Sequence, residues 1–158
     1  MPYYDPNKWI SSNDQLIPEI EDKLIEDKTA FTTQTKQTKS FKPPSAIEFN
    51  VVLNETKGTI RLSEWEDRIG RVYIELTSID SIFRKGHFNQ ERYHHNPDGR
   101  DIKPPHHIHF PTRKYPLNGQ STYAYRISSS KDYLNNLISF CNDTNIDLNH
   151  ASIPLMRR

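Results

Sequence analysis

Six of the seven histidines lie within 23 residues, between His87 and His109. They form two groups, Tyr93-His94-His95-Asn96-Pro97-Asp98-Gly99 and Pro104-Pro105-His106-His107-Ile108-His109-Phe110. Imidazole exchanges a proton near neutral pH, at an unperturbed pKa of about 6.5, and is a common metal ligand. A cluster this dense points to proton transfer or metal binding before packing. Its sharpest geometry is His107-Ile108-His109-Phe110. On a strand, side chains at i and i+2 share a face. His107 and His109 are expected to project to solvent together, about 7 Å apart along the chain, with Ile108 and Phe110 in the core and His106 on their side.

Asn96-Pro97-Asp98-Gly99 is a turn signal: proline presets φ, and Asp-Gly accepts the tight conformations that follow. The turn is expected to hold His94 and His95 against the neighbouring strand. Asp98, helped by Asn96, is the candidate to orient an imidazole through its ring N–H.

The pattern His94-x-Asn96-Pro97-Asp98-Gly99, then Pro105-x-His107-Ile108-His109, then Tyr123-Ala124-Tyr125 resembles an uncharacterised family of small bacterial proteins. Val72 to Leu76, Ile79-Asp80 and a closing helix to Asn142 also fit, so the resemblance spans residues 46–146. This chain differs by an insertion, Ser81 to Glu91, and an extra histidine, His106. There is a looser likeness to toxins of toxin–antitoxin modules, on Arg92-Tyr93 and Pro105-His106-His107-Ile108-His109. It implies RNA as substrate and a cognate antitoxin or other protein as partner.

Three chemistries compete. The first is a metal-independent endoribonuclease. Its base and acid come from His94, His95, His107 and His109, since proton transfer is best when pKa matches ambient pH. Arg92, Arg100 and Lys103 would bind the phosphate, and Tyr93, Tyr123 and Tyr125 would stack on bases. It needs no cofactor. The second is a divalent metal such as zinc on His94, His107 and His109, with metal-assisted hydrolysis or oxygen chemistry. The third is a non-enzymatic phage- or defence-associated protein that binds a protein or nucleic acid through the same loop.

Composition fits a phosphate-rich partner. The net charge is +1, yet residues 84–115 hold seven basic and three acidic side chains. Such a positive pole attracts phosphates. Hydrophobic residues make up 34%, so the core is expected to be modest. No apolar run reaches the ~18 residues of a membrane span, and the N-terminus lacks the pattern of a signal peptide. With one cysteine, Cys141, a cytoplasmic location is expected and an internal disulfide is excluded. A homodimer stays open.

The elements that must position the cluster read as α+β: an antiparallel sheet of about five strands with an N-terminal and a C-terminal helix. Residues 1–31 form an N-terminal helical segment, with a helix over 13–28 capped by Asn13 or Asp14 unless Pro18 moves its start. Residues 32–45, rich in Thr, Gln, Lys, Ser and Pro, read as a linker or exposed loop. Residues 46–146 form the domain. Its strands are expected at 46–54, 59–62, 71–79, 106–110 and 122–127, with a hairpin loop at 54–58 and a long polar loop from Phe83 to Pro105. A second helix follows from Lys131 to Asn142, capped by Ser128 to Ser130, with Leu134, Leu137, Ile138 and Cys141 inward. Residues 147–158 read as a tail.

Overall fold

Val72, Ile74 and Leu76 are buried while Tyr73, Glu75 and Thr77 are half-exposed, the alternation of a strand with one face on a core. The computed structural model describes residues 3–37, 45–53, 58–67, 69–78 and 81–148, without the side chains of 32–37, 45–47, 59 and 63–65. In chain order the elements are α1 (Pro18–Ile25), β1 (Lys28–Gln37), β2 (Ser45–Leu53), β3 (Thr59–Glu66), β4 (Val72–Ser78), β5 (Ser81–Phe88), β6 (His94–His95), β7 (Asp101–Ile102), β8 (His107–Phe110), β9 (Tyr123–Arg126), α2 (Tyr133–Asp143) and β10 (Ile146–Asp147). A 3₁₀ turn at Pro6–Trp9 precedes them.

The α+β class with two helices holds, but the sheet is larger than five strands. Eight described strands run in the order β10-β1-β2-β3-β4-β5-β8-β9, and β6 pairs with β7 separately. All neighbours in the large sheet are antiparallel except β1 and β10. β1 occupies part of the stretch expected as a linker. Its polar residues from Thr32 onward pair with β2 through backbone groups, which a side-chain pattern does not report. Residues 38–44 of that stretch, most of the expected 54–58 loop and the tail from 149 lie outside the described residues.

Register divides the sheet into two faces. Phe49, Leu62 and Leu76 lie abreast, as do Ile74, Gly86, Ile108 and Tyr125. These belong to one buried cluster with Ile20 and Leu24 of α1 and Leu137 and Phe140 of α2, Gly86 apart. Each large apolar side chain buried there contributes roughly 1.5–3 kcal/mol. The opposite face carries Tyr73, His87 and His107 abreast, then Glu75, Lys85 and His109.

α1 begins at Pro18, not at 13, because proline has no N–H to bond backwards and clashes with an upstream turn. Asp14, freed from capping, accepts from the Thr112 hydroxyl at 2.6 Å. The buried Lys28 ammonium closes the other end, donating to the carbonyls of Lys23, Leu24 and Glu26. α2 is capped by Asp132, which accepts from Asn135 N, rather than by a serine. Its buried face is Tyr133, Asn136, Leu137, Phe140 and Cys141, so Ile138 points outward at 40% exposure and the expected stripe is rotated.

The expected loop from Phe83 to Pro105 contains β5, β6 and β7. β5 looked like loop because Arg84, Lys85, Gly86 and His87 are not strand formers. Arg84 is buried because Glu21 of α1 meets it at 2.6 and 3.0 Å. Gly86 is needed because a Cβ there would lie 2.6 Å from Phe88 and 2.9 Å from Phe140. No helix among the described residues is long and apolar enough to cross a membrane.

Candidate metal centre

β5 and β8 build the floor of the site. Their register sets His87 opposite His107 and Lys85 opposite His109. The alternation read from sequence holds: Ile108 and Phe110 are buried on the helix side and the two histidines share the other face. The expected solvent exposure does not. His107 and His109 are 4% and 6% exposed. Tyr93 and His94 on one side and Leu117 to Thr122 on another wall in that face, leaving a cleft of about 350 Å³.

One ring nitrogen from each of His87, His107 and His109 lies within 4.8 Å of the other two. The Nε2 atoms of His107 and His109 are 3.0 Å apart. With metal–nitrogen bonds of ~2.1 Å, two imidazoles sharing an ion at ~90–110° have nitrogens ~3.0–3.4 Å apart. His109 Nδ1 lies 2.8 Å from the Thr122 hydroxyl. If Nε2 binds an ion, Nδ1 keeps the proton and donates to that hydroxyl, which fixes ring and tautomer. Among the described residues His107 Nδ1 is buried with no hydrogen-bond partner, a state that costs about 1–3 kcal/mol.

His94 sits beside this trio. Its ring is 5.3 Å from that of His107 and 4.6 Å from that of His109, and its Nε2 donates to the Thr122 carbonyl at 2.8 Å. The converging set is therefore His87, His107 and His109, a correction to the expected His94, His107 and His109. His87 belongs to the cluster, but its segment reads as loop, so the sequence assigns it no role at the site. Its signal was its place two residues after Lys85 and one before Phe88.

The electrostatics favour neutral rings. Burial, then Lys85 and His94, push His87 down to about 4. Burial, then His87, His94 and His106, push His107 down to about 3. His109 is held well below its ordinary value by burial, then by His87, His107, His94 and Lys85. His94 is lowered by burial, partly offset by its bond to Thr122. Neutral imidazole is the form that binds metals.

The other expected site residues divide. Arg92 and Tyr93 line the cleft. His95 points away and pairs with Asp101 at 2.6 Å on the surface. Asp98 reaches no imidazole; it accepts from Arg100 N and lies 3.6 Å from the Arg100 guanidinium. Asn96 bonds to backbone: its side-chain amide donates to Ala124 O and accepts from Ala124 N, sealing the outer edge of β9 and tying down the segment with His94. Arg100 is outside the cleft, over Trp9 and donating to Lys8 O. Lys103 is exposed and does not line the cleft. Tyr123 and Tyr125 are core, not stacking platforms: Tyr123 meets Ser11, and Tyr125 stacks on Tyr4 and donates to Asp143. Lys85, Leu117, Gln120 and Thr122 join the lining unforeseen, since chain-distant loops meet only in the fold.

No family model, curated protein or solved structure matches the chain.

Proposed function

We propose that His87, His107 and His109 hold one divalent transition metal, and that the cleft above them is the reaction centre of a metal-dependent enzyme. The convergence of three ring nitrogens within 4.8 Å carries this reading. The 3.0 Å approach of the His107 and His109 Nε2 atoms and the Thr122 hydroxyl on His109 Nδ1 support it. Three imidazoles with open positions suit zinc, iron, nickel or cobalt. A bound ion would supply Lewis-acid polarisation of a substrate oxygen. The chain's own contribution is to orient His109 through Thr122 and to place His94 at the edge of the reacting volume.

The test is metal titration of demetallated protein with zinc and cobalt. We expect one ion per chain and a cobalt absorption band typical of nitrogen ligation. His87→Ala, His107→Ala and His109→Ala should each abolish retention, and His95→Ala should leave it intact. A wild type that retains no ion overturns the reading.

A second reading keeps the cleft and drops the metal: a toxin-like endoribonuclease with His107 and His109 as the proton-transferring pair. Their 3.0 Å contact and the presence of Arg92 and Tyr93 in the lining favour it. It expects RNA cleavage to persist in chelator and to vanish in His107→Ala and His109→Ala.

A further inference from the structure

We propose that the cleft takes a phosphoryl-bearing substrate, a phosphomonoester or a single nucleotide unit, held by Lys85 and Arg92. The inference rests on the metal-centre reading, which adds two positive charges at the cleft floor.

The lining carries the argument. Among the described residues it contains Lys85 and Arg92 and no aspartate or glutamate. Lys85 stands on the histidine face of β5, opposite His109 and two residues from His87. It lines the cleft beside them. Among the described residues neither Lys85 nor Arg92 is in an ion pair, and this includes Lys85 with Glu75, its neighbour across β4. Lys85 is half-buried and Arg92 exposed, so both charges are open to the cleft, whereas the buried cations Arg84 and Lys28 meet Glu21 and three carbonyls.

Two side-chain cations and a divalent ion, with no lining carboxylate, balance a dianion better than a monocarboxylate. The guanidinium fork of Arg92 matches phosphate geometry, and Lys85 acts as a point charge. The Gln120 amide adds a neutral donor to the lining. A cleft of about 350 Å³ lies at the small end of ligand pockets, so the bound portion is one phosphate with a small attached group. Tyr93, 52% exposed in the lining, offers a ring face to a base.

The experiment is calorimetric titration of zinc-loaded protein with inorganic phosphate, adenosine monophosphate, ribose 5-phosphate and acetate. Zinc content and melting temperature are measured on every sample. We expect the three phosphates to compete for one site and acetate to bind at least about tenfold more weakly. Lys85→Gln and Arg92→Gln should each weaken phosphate about tenfold or more, with zinc content and melting temperature unchanged. Adenosine monophosphate binding tighter than ribose 5-phosphate, with the gain lost in Tyr93→Ala, identifies a nucleotide. Equal binding identifies the phosphoryl group alone, and either result upholds the site. One zinc per chain with no phosphate binding, or variants that bind like wild type, overturns the inference and leaves the metal centre standing. If wild type holds no zinc, the metal reading falls. The same titration of metal-free protein then decides the anion site: Lys85-dependent binding upholds it, and no binding overturns it.

Discussion

Thr122 serves two of the clustered histidines at once. Its carbonyl accepts from His94 Nε2, and its hydroxyl meets His109 Nδ1. Thr122→Val keeps the volume and the carbonyl and removes only the hydroxyl. Metal affinity, measured by chelator competition, should fall about 10–100-fold. The same change leaves His109 Nδ1 buried without a partner, so the urea midpoint of metal-free protein should report a loss of about 1–3 kcal/mol. An unchanged zinc affinity would mean that the hydroxyl does not orient a ligand. At this scale the sequence was legible for the type of residue and less so for its task. His107 and His109 declared themselves by spacing. Tyr123 and Tyr125 misled, because an alternating strand residue looks the same whether its ring meets a ligand or the core.

Two elements decide whether the floor and wall of the cleft exist. The floor needs β5 flush under α2, and Gly86 makes that approach possible, since an added Cβ would lie 2.6 Å from Phe88 and 2.9 Å from Phe140. Gly86→Ala should lower stability by about 1–3 kcal/mol in urea unfolding, through overpacking. A neutral result would show that the two rings can move aside. The wall needs Asn96, whose amide satisfies both backbone groups of Ala124. Asn96→Ala should cost about 1–3 kcal/mol. It should also speed hydrogen exchange at the Ala124 amide, read by NMR; protection equal to wild type would detach Asn96 from the wall.

For the whole molecule, acid is the informative stress. Unfolded histidines titrate near pH 6.5, whereas folded His87 and His107 stay neutral down to about 4 and about 3. Between those values the unfolded chain binds more protons than the folded one, so stability is retained above ~6.5 and lost as pH falls. Metal-free protein should show a flat urea midpoint above pH ~7 and lose on the order of a few kcal/mol between pH ~6.5 and ~4. The His87→Gln variant should flatten that slope. A midpoint as high at pH ~4.5 as at neutrality would mean that the imidazoles are not enclosed as described.

By itself the sequence determined the α+β class, the turn at Asn96 to Gly99, the alternation of β4 and β8, and the pairing of His107 with His109 on one face. Each of these is a local property, fixed by a two-residue period or by the φ preferences of proline and glycine; Gly99 has φ +92°. The tertiary structure alone decided that β5 is a strand, that His87 is the third imidazole, and that the cluster is enclosed. Those facts depend on partners distant in the chain. Glu21 neutralises Arg84 across 63 residues, Phe140 crowds a Cβ at Gly86, and Thr122 approaches His94 across 28 residues. A one-dimensional pattern records what a residue prefers. Whether a charge is neutralised, a glycine required or a histidine buried is set by which segment packs against it.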